Sequence, residues 1–188
     1  MKSILIFILS LISIAILLIS KPYIQKYQTK QKYEFKLQSF DGDIKLSDFR
    51  GKIVAVYFGY MYCPDVCPNT LSLLSQALDS FSSKKLKDFK GIFISVDPLR
   101  DDLKNLKDYS TYFHSNFIGV TSDQNNIKTI TKNYGSYFVL EKNGTNDIDY
   151  TVAHTSYIYL FDRNGNLVSK LNHITSSEEI FEALNKIL

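Results

Sequence analysis

The chain of 188 residues is 45% hydrophobic, contains 13 Tyr and 13 Phe, and carries a formal net charge of +3. This length allows one domain with a sizeable aromatic core and an N-terminal appendage. A content of 2 Cys excludes a disulfide-stapled scaffold. Lys and Arg are scattered among acidic residues, which excludes a nucleic-acid-binding surface.

The N-terminal appendage is an uncharged apolar run, 3–20, between Lys2 and Lys21. Its length is at the lower edge of a membrane-spanning helix. A cleaved signal peptide is the alternative, but Leu18 stands where a cleavage site needs a small residue. The chain is therefore predicted to contain a membrane anchor, a polar tether and a folded domain: 1–20, 21–34 and 35–188.

Strand and helix patterns alternate along the folded domain. The apolar run 53–58 is typical of a central strand buried on both faces, and helical spacing of Leu and Phe predicts a helix over 68–82. Further strands are predicted at 35–38, 44–46, 91–96, 117–120, 137–140, 156–161 and 166–171. Further helices are predicted at 103–113 and 127–134 and after a cap at 176–179, and 141–149 is predicted to be a loop or hairpin tip. This order predicts an α/β, three-layer, thioredoxin-like fold.

Cys63 and Cys67 lie between the strand 53–58 and the helix 68–82. Unpaired amides and the helix dipole at such a junction favour thiolate over thiol. Four residues of helix rise about 6 Å, which is inside the disulfide range but toward its long end. The pair can therefore form a disulfide or bind a soft metal ion, and both interpretations stay open.

A metal ion would need a third ligand, and the chain offers His114, His154 and His173. His114 is predicted at a helix end on the surface, and His173 lies just beyond the last strand. His154 precedes the strand 156–161, where a thioredoxin-like fold brings a loop toward the cysteines. A metal ligand and a half-buried loop histidine are equally good interpretations of His154. Two thiolates with one imidazole favour copper(I), with zinc as the alternative.

Four ordered motifs resemble the Sco/SenC family of copper proteins, which assist cytochrome c oxidase assembly. The first is Tyr57 to Leu71, which includes Cys63-Pro64-Asp65-Val66-Cys67-Pro68, and the second is Ser95 to Asp101. Phe117 to Thr121 and the strand of His154 resemble the third and fourth. The resemblance extends from about residue 35 to the end of the chain.

The resemblance implies a thioredoxin-like domain on a single inner-membrane helix, 3–20, facing the periplasm or the mitochondrial intermembrane space. It implies copper, as copper(I) or copper(II), bound by Cys63, Cys67 and His154. The implied partners are cytochrome c oxidase subunit II and other copper or thiol-redox proteins. Subunit II would receive copper, or the cysteines of its copper site would be reduced from disulfide to thiols by the two cysteines of this chain. A thiol-disulfide oxidoreductase without a metal-carrier role is the alternative function. Ala153 departs from the family, where many members place an acid before the histidine.

Four further features of the sequence carry alternative interpretations or a structural expectation. The lysines of the tether outnumber Lys2 and, on the positive-inside rule, predict that the folded domain stays on the cytoplasmic side of the membrane. The resemblance favours a domain tethered outside the cytoplasm. Asp97, before Pro98, either orients a ligand or partner or starts a turn and caps the next helix, and we favour the structural role. Asp65 either tunes the thiols or is a solvated loop acid. The aromatic cluster is predicted to be mostly core, with one of two tyrosines lining the site: Tyr57, Phe58, Tyr60 and Tyr62.

Overall fold

The computed structural model describes residues 2–142 and 150–188, and the side chains of 2–5, 7, 10 and 26 lie outside that description. It separates two compact units, Met1–Tyr33 and Glu34–Leu188. Most of the predicted hairpin tip, 143–149, lies outside the described residues.

The first unit is a single helix, α1, Lys2–Tyr33, with Pro22 inside it. The polar residues predicted as a tether are helical as far as Tyr33, which agrees with the good helix propensity of Lys and Gln. None of the helices formed by described residues combines the length and the apolar character that a membrane crossing requires. The predicted transmembrane helix therefore finds no support in this part of the chain.

The second unit is an α/β domain with two sheets. Its strands are β1 Lys36–Ser39, β2 Gly42–Lys45, β3 Ile53–Gly59, β4 Phe89–Ser95, β5 Phe117–Thr121, β6 Phe138–Lys142, β7 Tyr150–His154, β8 Tyr157–Phe161 and β9 Leu167–Asn172. Its helices are α2 Val66–Asp79, α3 Ser83–Leu86, α4 Leu103–Phe113, α5 Gln124–Asn133 and α6 Ser177–Asn185, with a 3₁₀ helix at Leu46–Phe49. The larger sheet has the order β2-β1-β5-β4-β3-β8-β9, and β6 pairs with β7.

Strand β3 is an interior strand of the larger sheet, next to the middle strand β4. It pairs in parallel with β4 and antiparallel with β8, and all of its residues are buried. An apolar run buried on both faces was the predicted signature of a central strand, and this prediction is confirmed. The thioredoxin-like α/β fold is likewise confirmed, because parallel strands with helical crossovers are joined to a terminal antiparallel hairpin.

The helices start close to their predicted positions. Helix α2 begins at Val66, two residues before the predicted start, so Cys67 lies in its first turn. Helix α6 begins at a capping box in which Ser176 accepts from the backbone N–H of Glu179, as the cap at 176–179 predicted.

The prediction that His154 lies in a loop is wrong. Residues Tyr150–His154 form β7, which pairs antiparallel with β6 in a register that sets Phe138 opposite His154. Tyr150 and Val152 are buried while Thr151 between them is exposed, the alternation of a half-buried strand. The strand is short, and its pairing with β6 is a tertiary contact, so the local sequence did not reveal it.

Candidate metal centre

The two cysteines lie on either side of the start of α2. Cys63 is in the turn that follows β3, and its backbone N–H donates to the carbonyl of Tyr60 at 3.3 Å. The backbone N–H of Cys67 donates to Cys63 Sγ at 3.4 Å. Cys63 is half-buried, Cys67 is buried, and both are free thiols. The strand–turn–helix predicted from sequence therefore directs one unpaired helix amide at a sulfur.

His154 reaches the same place from the end of β7. Its Nε2 lies 3.4 Å from Cys67 Sγ, across a separation of 87 residues. Its Nδ1 lies 3.2 Å from the carbonyl oxygen of Thr155. A carbonyl can only accept, so Nδ1 carries the proton in this contact and Nε2 faces the sulfurs. The Thr155 carbonyl therefore orients the imidazole. Ala153, which stands where many members of the family have an acid, has no side chain that could do so.

The three side chains have the spacing of a metal site. The ligand atoms of Cys63, Cys67 and His154 all lie within 4.8 Å of one another. Metal–sulfur bonds of about 2.3 Å keep two ligands of one ion within about 4.6 Å, so the group needs only a slight contraction to close on an ion. Among the described residues no carboxylate or further histidine joins this group. Two soft sulfurs and one imidazole suit copper(I) better than a four-coordinate structural zinc.

Aromatic rings enclose the buried side of the group. The Tyr57 hydroxyl donates to Cys67 Sγ at 3.7 Å, and the rings of Tyr57 and Tyr60 pack edge-on against His154 at 6.5 and 5.8 Å. Of the two tyrosines expected to line the site, Tyr60 does so, whereas Tyr62 is 63% exposed. The prediction of a mostly buried aromatic cluster is confirmed for the other three residues.

The two sulfurs have unequal proton affinities. The hydrogen bond from the Cys67 side chain is the main cause that lowers the pKa of Cys63 far below its usual value. The same bond and burial raise the pKa of Cys67. Burial and the nearby sulfur also raise the pKa of Tyr57, which stays a neutral donor. In the metal-free pair, Cys63 therefore loses its proton more readily than Cys67.

The other predicted residues lie elsewhere or have other contacts. His114 is the residue after α4, and its Nδ1 accepts from the backbone N–H of Asn116 at 3.0 Å. His173 is exposed in the turn after β9. Asp65 is exposed and precedes α2 without a side-chain cap. None of these three belongs to the described ligand group.

Asp97 starts a turn, as predicted, because its carbonyl accepts from the backbone N–H groups of Arg100 and Asp101. The prediction that it caps the next helix is wrong, since Asp102 caps α4. Its carboxylate instead accepts from Arg100 Nε at 2.5 Å and from the Tyr150 hydroxyl at 2.6 Å. Asp97 therefore has a structural role, because its buried carboxylate holds Arg100 and Tyr150 together.

Sequence reasoning missed Arg100, Asp101 and Tyr150 as neighbours of the site. Asp101 is buried and accepts from the Met61 backbone N–H at 3.0 Å and from the Ser95 hydroxyl at 2.6 Å. One signal pointed to Arg100 and Asp101, because they follow the end of a buried parallel strand, where α/β sheets collect functional side chains. No local signal pointed to Tyr150.

Comparison with known proteins places this geometry in a family. The family model described as SCO1/SenC matches residues 23–188. The chain belongs to the SCO1/SenC family. It is 33% identical over 152 residues to an SCO2-like protein of Rickettsia felis, a match that covers 80% of this chain and 74% of that protein.

Solved Sco structures share the fold. The structure of Bradyrhizobium japonicum ScoI with copper bound is 36% identical, with a TM-score of 0.71, and the match covers 82% of this chain and 98% of that one. The crystal structure of Arabidopsis thaliana ScoI with copper bound is 30% identical, with a TM-score of 0.73 and coverage of 81% and 94%. The predicted family and thioredoxin-like fold are thereby confirmed.

Proposed function

We propose that this chain is a copper(I)-binding metallochaperone whose ligands are Cys63, Cys67 and His154. The observation that carries the proposal is the convergence of three soft or borderline donor atoms within 4.8 Å. Copper in the solved ScoI structures supports the choice of metal. Three ligands leave room for an incoming thiolate, so the ion can pass from this protein to an acceptor without leaving the coordination of sulfur.

The unequal burial of the ligands suggests an order of release. Cys63 is half-buried and Cys67 is buried, so an acceptor group reaches the Cys63 side of the ion first. Replacement of Cys63 by an acceptor sulfur, followed by Cys67 and His154, moves copper(I) without any change in oxidation state. A bound ion also keeps both thiols from oxidising during the transfer.

The test of metal binding is an anaerobic titration of the reduced full chain with copper(I) against a chromogenic chelator. About one ion per chain is expected. Because loss of an outer contact alone costs about ten- to hundredfold in metal affinity, His154→Ala, which removes a direct ligand, should weaken binding by at least about a hundredfold. His173→Ala is the matched control, since this histidine is exposed in the turn after β9. Equal affinity of the wild type and His154→Ala would remove His154 from the site.

The proposed acceptor is the copper site of cytochrome c oxidase subunit II, and this step rests on family membership. Copper-loaded chain mixed with the metal-free, reduced copper domain of subunit II should lose its ion to that domain. The two proteins are separated by gel filtration and their copper is measured. Copper that stays with this chain, while a strong chelator still removes it, would contradict delivery to this acceptor.

A second candidate function is thiol-disulfide exchange with the same partner, favoured by the Cys63 thiolate beside the Cys67 thiol. Cys63 Sγ would attack a partner disulfide and release one partner thiolate. Cys67 Sγ would then displace the second, so that the partner gains two electrons and a Cys63–Cys67 disulfide forms. Rapid turnover on a model disulfide that is unaffected by His154→Ala would favour this function over metal delivery.

The proposal includes membrane attachment through 3–20, with the folded unit facing the periplasm or the mitochondrial intermembrane space. It rests on the uncharged apolar sequence of this run and on the family resemblance. The full chain should stay with membranes during alkaline carbonate extraction, and protease added to spheroplasts or mitoplasts, which lack an intact outer membrane, should reach the folded unit. Complete extraction would end this part of the proposal and leave copper binding untouched.

A further inference from the structure

Strand β7 carries His154 outside the seven-stranded sheet. Among the described strands its pairing partner is β6, and the two form a separate sheet. Tyr150 begins β7 and His154 ends it, a distance of roughly 13 Å along an extended chain. Contacts that hold the start of this strand against the domain therefore help to set the position of the imidazole, together with β8, which begins at Tyr157.

Arg100 and Asp97 hold that start. Arg100 Nη1 donates to the carbonyl oxygen of Tyr150 at 2.8 Å, and its guanidinium lies 3.8 Å from the centre of the Tyr150 ring. Asp97 accepts from both partners, from Arg100 Nε at 2.5 Å and from the Tyr150 hydroxyl at 2.6 Å. The Asp97 side chain is 1% exposed and that of Arg100 is 14% exposed, so water does not screen this ion pair as it screens a surface pair.

The same guanidinium also faces the turn that carries Cys63. It lies 5.9 Å from the Tyr60 ring and 5.1 Å from the Tyr62 ring, within the range of cation–π attraction. The Tyr60 ring in turn packs edge-on against His154 at 5.8 Å. One cation thus contacts the cysteine turn on one side and the histidine strand on the other.

We propose that Arg100 is a positioning residue that keeps His154 at ligand distance from the two sulfurs. It acts through Tyr150 and Tyr60 rather than by touching the ion, and the inference rests on the metal site proposed above. Loss of its contacts frees the start of β7, so the imidazole leaves the site more often while Cys63 and Cys67 stay in place. Loss of such an outer contact costs about ten- to hundredfold in metal affinity.

The variant must not create a new defect. Removal of Arg100 alone leaves the Asp97 carboxylate buried without a counter-charge, which is strongly destabilising. The test variant therefore combines Asp97→Asn with Arg100→Met, and Tyr150→Phe serves as a milder variant that keeps the ring. Arg163→Met is the matched control, because it removes a guanidinium that bonds Asp88 at 2.9 Å in a partly exposed pair.

The first measurement is copper(I) affinity of the reduced full chain, with and without His154→Ala. The combined variant should lose about ten- to hundredfold in affinity in the wild-type background and nothing further in the His154→Ala background. Tyr150→Phe should lose less, and Arg163→Met should match the wild type. An equal loss in both backgrounds would overturn the inference, because Arg100 would then act on the cysteines or on the whole fold.

The second measurement needs no metal. Nuclear Overhauser contacts between the rings of Tyr60 and His154 in the reduced metal-free chain should be present in the wild type and in Arg163→Met, and lost in the combined variant. Contacts that persist in the combined variant would refute the positioning role even if the copper affinity fell. A wild type that shows these contacts but binds no copper would refute the proposed function alone.

Discussion

At the scale of single residues, Gly59 provides the space that the Cys67 sulfur occupies. A Cβ at this position would lie 2.8 Å from Cys67 Sγ and 2.7 Å from Phe93 Cε2. Gly59→Ala should therefore displace the sulfur, weaken copper(I) binding by at least about tenfold and lower the free energy of unfolding by about 1–3 kcal/mol. Chelator competition and denaturant unfolding measure the two effects.

A second glycine provides the control for that variant. A Cβ at Gly91, on the neighbouring β4, would overlap the Phe117 ring instead of a ligand. Gly91→Ala should therefore lower stability without changing copper(I) affinity. If both variants lost affinity to the same degree, general loosening of the fold rather than displacement of one sulfur would be the cause.

Asp101 gives a pH dependence that can be measured without metal. Burial raises its pKa from 3.8 to about 6, despite hydrogen bonds from Ser95 and Met61. Because the folded pKa is above the unfolded one, the Asp101 carboxyl contributes to the free energy of unfolding when it is protonated. This contribution, up to about 3 kcal/mol, is fully present below about pH 4 and is lost as the pH rises through about 6. Asp101→Asn removes the titrating proton, so its unfolding free energy should fall less over this range.

Urea unfolding of the wild type and Asp101→Asn at several values between pH 4 and 7 tests this expectation. The difference between the two curves isolates this carboxyl from the other acids of the chain. Parallel curves would mean that Asp101 has the same pKa in the folded and unfolded chain.

At the scale of elements, the capping box of α6 stabilises the helix that covers α2. The Ser176 hydroxyl accepts from the Glu179 N–H at 3.2 Å, and the Glu179 carboxylate accepts from the Ser176 N–H at 3.2 Å. The ring of Phe81, just after the end of α2, packs against the ring of Phe181 in the middle of α6 at 4.9 Å. Ser176→Ala should cost about 1 kcal/mol of unfolding free energy and leave copper affinity unchanged, as thermal unfolding and titration will measure.

The neighbouring Ser177→Ala supplies the comparison, because Ser177 is inside the helix and does not fill the cap position. Its effect should stay within about 0.5 kcal/mol. A loss as large as that of Ser176→Ala would show that side-chain polarity in this turn, rather than the cap, carries the stability.

Elements with strong local patterns were predictable. Strand β3 is an unbroken apolar run, and α2 repeats apolar residues at helical spacing, so both patterns reflect burial of the same segment that carries them. Strand β7 was missed because it forms by pairing with β6, and no residue type or spacing within Tyr150–His154 indicates that pairing. The 3₁₀ helix at Leu46–Phe49 and the single turn α3 were too short for periodicity to detect.

At the scale of the whole molecule, copper should stabilise the fold. The ligands come from the β3–α2 junction and from β7, so an ion bound to all three links two segments that are otherwise joined by side-chain contacts. An ion at about 1,000 times its Kd adds about 4 kcal/mol, which raises the Tm of a chain of this size by several degrees. Calorimetry of the reduced chain without copper(I), and with free copper(I) buffered at about 1,000 times its Kd, measures the rise.

Oxidation supplies the control for copper stabilisation. A Cys63–Cys67 disulfide removes both thiolate ligands, so the oxidised chain should show no rise in Tm on addition of copper(I). A rise of the same size in the oxidised chain would mean that copper binds elsewhere.

The sequence by itself determined the strand–turn–helix that presents two thiols, because the apolar run, the helical spacing and the cysteine positions all lie within 53–82, a segment of about thirty residues. It also determined the family, since four motifs occur in order. Only the tertiary structure decided that His154 meets those thiols across 87 residues and that Arg100 links both sides of the group. Such contacts depend on the pairing of β3 with β8 and on how β7 packs against the domain. Pairing between segments far apart in the chain produces no hydrophobic periodicity that could be recognised in either segment.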